Sequence, residues 1–456
     1  METASGVLGT GRSADGRTFT AEVEENSLQA GLVVGLEALD GLHLGLVLSV
    51  GKDGRDKVFG VVLGEFSPEG ELARSRRDPF AEATVRVLRP LEIKALQAST
   101  GATMEIGRWD MSGSNADLRL IPKAFNRHTF LCGQSGSGKT YALGVILEHL
   151  ILETRLPMIV LDPNGDFVHL AEARPDAPAG MREALANAGI DVVGTGDNPL
   201  FIPFVRLSQV VQAAALELDP VSDRAEYSTW LEVKTDPRQA TNLDEIVSQL
   251  LSGDPDQRAL AQRVRNLGIG EWSLWPRGRE VPTPSTPPRV QVRDLSGFPR
   301  PAEAVLAGVE VVERLWANRE SRQPTLLVID EAHNLCPAEP ETPLQKLLVN
   351  RLIQIAAEGR KYGIWLLLSS QRPSKVHPQV LSQCDNLVLM RMNSPTDLAE
   401  LVELFGFAPE AMLAVSPHFN QGELLVAGGF VPVPSLGRVG PRLTREGGVD
   451  VRVPLA

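Results

Sequence analysis

Most of this chain is predicted to adopt an α/β fold, a parallel sheet with helices on both faces, and a small β-barrel precedes it. Three observations predict this. From Arg127 onward, short apolar strands alternate with helical segments, the pattern of a parallel α/β sheet. Those strands lack strict in–out alternation, as expected of strands covered on both faces. Before about Arg89, short strands are instead separated by glycine turns.

The first segment, residues 1–95, predicts strands at Phe19–Val23, Leu42–Val50, Val58–Phe66 and Ala83–Leu88, with a Lys52-Asp53-Gly54 turn between two of them. Such strands close into a small barrel or stack as a loose sandwich, and the pattern fits both. The segment holds no catalytic constellation, so its expected role is assembly or docking.

The core is expected over 96–170 and 290–440, with strands at Thr129–Cys132, Met158–Leu161, Val290–Arg293, Thr325–Ile329, Ile364–Ser369 and Asn386–Met392. Residues 171–289 are expected to form a mostly helical insertion, with helical patterns at Leu207–Leu216, Leu243–Leu251 and Gln257–Leu267. The insertion ends in the proline-rich stretch from Pro282 to Pro288, read as an extended connector. Strand-like text returns at Glu423–Val426 and Phe430–Val433, and 441–456 reads as a C-terminal arm.

At 456 residues and 43% apolar composition the chain is long enough for two or three buried cores. Its first residues, Met1 to Arg17, are small, polar and mixed in charge, unlike a signal peptide. The longest apolar run, Tyr141 to Leu152, is interrupted by Glu148 and His149. It falls short of the roughly 20 residues a membrane-spanning helix needs, so no membrane association is expected. Three scattered cysteines, Cys132, Cys336 and Cys384, and seven scattered histidines show no metal-ligand spacing and no disulfide framework. A reducing, cytoplasmic setting without structural zinc is expected. The formal net charge of −12 argues against a uniformly basic nucleic-acid coat, although a ring can confine its basic groups to a narrow channel.

The strongest chemical signal is Gly133-Gln134-Ser135-Gly136-Ser137-Gly138-Lys139-Thr140, a G-x-x-x-x-G-K-[ST] phosphate loop between a predicted strand and a helix beginning near Lys139. Glycines let backbone N–H groups curl around phosphate oxygens, and the helix N-terminus adds partial positive charge. Lys139 is expected to reach the β and γ phosphates of ATP, and Thr140 to ligate Mg²⁺. Leu143, Ile146 and Leu150 are spaced for one buried helix face.

A second signal is the apolar strand Thr325–Ile329 running into Asp330-Glu331. Asp330 is expected to hold Mg²⁺ and Glu331 to polarise the attacking water. At the end of the next strand, Gln371 in Ser369-Ser370-Gln371-Arg372-Pro373 is placed to contact the γ-phosphate or the water. Asp162 in Leu161-Asp162-Pro163-Asn164-Gly165-Asp166 ends a strand expected to adjoin the phosphate-loop strand, which would carry it to the nucleotide. Arg360, Arg127 and Arg391 each flank a core strand, and a guanidinium offered to a neighbour's γ-phosphate stabilises transition-state charge.

In combination these phrases resemble the HerA-like branch of the HerA/FtsK ATPases, with RecA/FtsK-like cores. The resemblance rests on Arg127-His128-Thr129 before the loop, Leu161-Asp162-Pro163-Asn164-Gly165 and Asp330-Glu331-Ala332-His333-Asn334. It also rests on Glu358-Gly359-Arg360-Lys361-Tyr362-Gly363, Ser370-Gln371-Arg372-Pro373, Leu381-Ser382-Gln383-Cys384-Asp385-Asn386 and Gly422-Glu423-Leu424-Leu425-Val426, over about Gly107 to Val439. It implies an N-terminal barrel and a homo-hexamer that hydrolyses ATP at subunit interfaces. It also implies double-stranded DNA as the pumped substrate, with a nuclease or other effector as partner. Gln371 becomes a γ-phosphate sensor, Asp162 a second acidic contact, Arg360 a finger reaching the neighbouring subunit and Arg127 a second nucleotide contact. Arg372, Lys375 and His377 share one loop that could line a pore. Two departures are the acidic charge and the 171–289 excursion. The first keeps a second reading open, a ring scaffold in which ATP orders the hexamer and switches an effector, as in anti-phage defence. A pilus or conjugation motor fits least.

Overall fold

The computed structural model describes residues 6–447 apart from 25–26, 54, 68, 74–77, 111–115, 234–242, 278, 280 and 282–286. Gly54 of the expected turn, most of the proline-rich stretch and the end of the C-terminal arm lie outside the described residues. The chain divides into two compact units. One holds residues up to 154 with 371–373 and 384–443, the other 155–370 with 374–383 and residues from 444.

The first unit opens with seven strands: β1 (Val7–Ser13), β2 (Thr18–Val23), β3 (Val33–Ala38), β4 (Gly41–Asp53), β5 (Arg55–Phe66), β6 (Leu72–Ala73) and β7 (Phe80–Val87). They run β2-β1-β7-β3-β4-β5-β6, and β2 also pairs with β5, so six strands close on themselves. Of barrel and sandwich, the barrel forms, and closure removes the open edges that such strands would otherwise expose. The inward row of β2 is Phe19, Ala21 and Val23, every second residue. A Cβ on Gly60 would lie 2.3 Å from the Phe19 ring, so only glycine lets β5 pass the core aromatic. The sequence reading left out β1 and β3, whose glycines dilute the apolar pattern.

Helix α1 (Pro90–Thr100) leads to the hairpin β8 (Met104–Trp109) and β9 (Ala116–Leu120), then to β10 (His128–Cys132) and α2 (Lys139–Glu153). Leu143, Ile146 and Leu150 of α2 are buried as expected, and so are Ala142, Val145, Leu147 and Ile151. A helix apolar on most sides is covered on most sides. Its one buried carboxylate, Glu148, meets the Arg442 guanidinium at 3.4 Å and accepts the Leu443 N–H at 2.7 Å.

The second unit begins with β11 (Met158–Asp162), α3 (Ala179–Ala186), β12 (Ile190–Val193), α4 (Gln209–Ala215), α5 (Arg224–Glu232), α6 (Leu243–Leu251) and α7 (Pro255–Asn266). It continues through β13 (Val290–Asp294), α8 (Pro301–Ala317), β14 (Thr325–Ile329), α9 (Ala332–Leu335), α10 (Pro343–Glu358), β15 (Ile364–Ser370) and α11 (Pro378–Leu381). Its sheet is parallel throughout, in the order β12-β13-β11-β14-β15. The excursion after Ala171 carries, among the described residues, five α-helices and one strand, β12, which pairs along β13. One expectation changes here: β11 does not adjoin the phosphate-loop strand, because β13 and β14 occupy its two edges.

The chain then returns to the first unit with β16 (Cys384–Met390), α12 (Pro395–Leu404), α13 (Glu410–Ala414), β17 (Glu423–Gly428) and β18 (Ser435–Val439). In this unit the strands run β10-β16-β17-β18-β8-β9, and only β10 and β16 are parallel. The expected parallel sheet is mixed here, and at β17–β18 and β8–β9 the connections are too short for a crossover and form hairpins. Phe430–Val433, expected as a strand, forms the turn between β17 and β18. Pro432 and Pro434 carry no N–H for a ladder, which moves the strand on to Ser435.

Candidate active site

In the first unit, β10 runs into the loop Gly133–Gly138, and α2 begins at Lys139. Gly138 caps the helix at φ 95°, ψ 18°, a left-handed conformation that glycine adopts without Cβ strain. The loop is framed by its own unit. The Gln134 N–H donates to the Arg391 carbonyl at 2.9 Å, and the Gly422 N–H donates to the Ser137 carbonyl at 3.0 Å. Arg391 Nη2 donates to the Gly136 carbonyl at 3.3 Å, and the Asn393 N–H donates to Gln134 Oε1 at 3.2 Å. Ser135 and Gly136 are exposed at the rim, Gly133, Ser137 and Lys139 are buried, and Thr140 is half-buried. A strand, a glycine loop and a helix N-terminus in this order form an anion-binding cradle.

In the second unit, β11 and β14 pair in parallel with Leu161 opposite Ile329, so Asp162 and Asp330 leave the sheet side by side. Both are fully buried. The Asp330 N–H donates to the Leu161 carbonyl at 3.1 Å. The Asp162 carboxylate accepts the Asp166 N–H at 3.1 Å and the Phe167 N–H at 2.8 Å, closing the Pro163-Asn164-Gly165 turn over it. Carboxylate oxygens of Asp162, Asp166 and Asp330 lie within 4.8 Å of one another. Burial pushes Asp162 up to about 7, assisted by the charges of Asp330 and Asp166 and opposed by the two N–H bonds. Three carboxylates are hard oxygen donors and suit Mg²⁺.

Glu331, next after Asp330, adopts φ 43°, ψ 52°. For a residue other than glycine this left-handed conformation costs of order 1–3 kcal/mol. Its side chain is buried, and its Oε2 lies 3.3 Å from His333 Nδ1. Gln371 is half-buried in the bend after β15. Arg360 lies between α10 and β15 and donates from Nη2 to the Gln383 carbonyl at 2.8 Å. Arg127 is exposed, with its Nε 3.9 Å from Asp385. Arg372 and Lys375 are exposed, and burial lowers the half-buried His377. The main chain of that loop is tied to the segment after α9, from Ala338 N–H to Lys375 carbonyl at 2.9 Å and from His377 N–H to Cys336 carbonyl at 3.0 Å.

Asp166 and His333 carried no role in the sequence reading. Asp166 had a signal, because an aspartate four residues after a strand-end aspartate, across a Pro-Asn-Gly turn, folds back toward it. His333 had only its place two residues after Glu331.

Residues 104–266 match the family model described as "Helicase HerA, central domain". "Probable helicase MJECL08" of Methanocaldococcus jannaschii is 38% identical over 380 residues, covering 75% of this chain and 71% of that relative. "DNA double-strand break repair helicase HerA" of Saccharolobus solfataricus is 31% identical over 400 residues, covering 79% and 73%. The chain belongs to the HerA helicase family. Among solved structures, VirB4 of Thermoanaerobacter pseudethanolicus shares the fold, with a TM-score of 0.52 at 16% identity over 75% of this chain and 97% of that one. This HerA-family protein is thus a P-loop ATPase, and nucleotide binding goes with its phosphate loop. Among the described residues, no helix is long and apolar enough to cross a membrane.

Proposed function

We propose that this HerA-family ATPase is a hexameric, ATP-driven motor that translocates double-stranded DNA and works with a nuclease or other effector. DNA end processing or anti-phage defence is the proposed setting. The observation that carries the reading is the phosphate loop on β10 and α2, in a chain whose relatives include proteins named DNA double-strand break repair helicases.

In this reading Gly133, Gln134, Ser135, Gly136, Ser137 and Gly138 offer backbone N–H groups to the phosphates, and Lys139 offsets their charge. Thr140 and Asp330 hold Mg²⁺, which neutralises charge on the phosphate oxygens. Glu331 accepts the proton of the attacking water while the bond from the γ-phosphorus to the bridging oxygen breaks, giving ADP and phosphate. Asp162 adds an acidic contact, Gln371 senses the γ-phosphate, Arg127 touches the nucleotide and Arg360 reaches a neighbouring subunit's γ-phosphate. Residues 1–95 build the ring or dock the effector, 96–170 and 290–440 act as the motor core, 171–289 as an insertion and 441–456 as an arm.

The test is ATP turnover with and without duplex DNA. A translocase shows turnover accelerated by duplex, rising with its length until a plateau. The net charge of −12 favours one other reading, a ring scaffold whose ATP cycle switches an effector protein. That reading gains if duplex leaves turnover unchanged and the purified effector alters it.

A further inference from the structure

Beside Glu331 in the second unit lies a polar contact to which the proposed mechanism gives no role. His333 Nδ1 lies 3.3 Å from Glu331 Oε2 and 3.2 Å from Ser370 Oγ. Two elements bring these groups together: Glu331 caps α9, which carries His333, and Ser370 is the last residue of β15. The Glu331 side chain is only 5% exposed and that of His333 23%. Hydrogen bonds shielded from bulk water in this way orient their partners more strongly than exposed ones.

His333 Nδ1 is hydrogen-bonded to Ser370 Oγ, and the ring so held sets that nitrogen against Glu331 Oε2 without a hydrogen bond between the two. The Ser370 hydroxyl both donates and accepts. That hydroxyl anchors the ring, and an imidazole nitrogen 3.3 Å from a buried carboxylate oxygen narrows the positions the carboxylate can take. Glu331 has a further need for an anchor. Its backbone is in an uncommon conformation, and its side chain has three rotatable bonds with which to miss the attacking water.

We propose that His333 is a positioning residue for ATP hydrolysis. Its imidazole, anchored on Ser370 Oγ, confines the Glu331 carboxylate 3.3 Å away, and that anchor couples the carboxylate to the strand that runs on into Gln371. The inference rests on the reading of Glu331 as the base that takes the water's proton. A carboxylate held a fraction of an ångström off line costs rate rather than substrate affinity.

Full-length protein carrying His333→Ala is expected to lose about 10-fold in kcat, with KM for ATP within about 2-fold of the parent. His333→Asn, whose amide nitrogen reaches the Nδ1 position, is expected to keep at least about a third of parental kcat. His333→Gln extends to the Nε2 position and is expected to behave like the alanine variant. The decisive measurement is a double-mutant cycle in single-turnover hydrolysis. If His333 acts through Glu331, adding His333→Ala to Glu331→Gln causes no further loss. Multiplying losses would show an independent structural effect and overturn the proposal, as would parental kcat in His333→Ala. If the alanine variant does not fold, the Asn and Gln variants carry the test, and equal kcat in those two overturns it. Parental turnover in Glu331→Gln alone is a separate result: it removes the base assignment, and the positioning role falls with it.

Discussion

The Gly133–Thr140 loop presents mainly backbone groups, whereas the ends of β11 and β14 present buried carboxylates. The loop needs a strand, a left-handed glycine cap and a helix N-terminus, and Lys139 is its one titratable side chain. The acidic ends place Asp162, Asp166 and Asp330 within 4.8 Å of one another, and burial with mutual repulsion moves Asp162 to about 7. A backbone cradle keeps its character across pH. A carboxylate cluster changes charge with pH, and its electrostatics depend on which neighbour is ionised.

The sharpest way to separate the two regions is to remove one essential group from each. Lys139→Ala is expected to abolish turnover and weaken ATP binding beyond detection in equilibrium titrations, because the phosphates lose their main cation. Normal turnover in that variant would break the loop assignment. Arg360→Ala is expected to leave binding intact and reduce hydrolysis by about 10³–10⁵-fold, the worth of an arginine finger. Mixed rings of Arg360→Ala and Lys139→Ala subunits are expected to regain part of the activity, since some interfaces pair an intact loop with an intact finger. Parental activity in Arg360→Ala alone would place the finger elsewhere, with Arg127 next in line. Arg391 suits that role less well, because it is engaged with the loop carbonyl of Gly136.

On the acidic side, Glu331→Gln is expected to retain ATP binding and slow hydrolysis by about 10²–10⁴-fold, the usual range for a general base. Binding lost together with hydrolysis would mean that Glu331 serves the cradle rather than the water. The smallest effect is expected from Asp162→Asn, read as stability without nucleotide or metal. The ordinary value of Asp162 is 3.8, and the folded chain raises it to about 7. Between those limits the folded chain keeps a proton that the unfolded chain has released, so stability from this group is lost as pH rises from about 4 to about 7. Asparagine is neutral throughout and flattens that part of the profile by at most about 1.4 kcal/mol per pH unit. Chemical denaturation at about pH 5 and about pH 7 measures the difference, and identical slopes in parent and variant would contradict the shift.

The linear order of residues by itself determined the phosphate loop, the strand before it and the helix after it, because local backbone geometry, glycine placement and helix electrostatics all act within eight residues. It likewise determined the six core strands expected from apolar runs and four of the barrel strands. Whether those short strands closed was decided by the long-range pairing of β2 with β5, a contact that local pattern does not encode. Tertiary structure also decided the neighbours of Asp162. The order β13-β11-β14 sets it beside Asp330, since strand order depends on how crossovers pack and not on the strands' own composition. The approach of Asp166 to that pair and the meeting of His333 with Ser370, 37 residues further along, belong to the same class. Such contacts exist only once separate strands lie in register, because burial and proximity, which set charge and orientation, are properties of the packed chain.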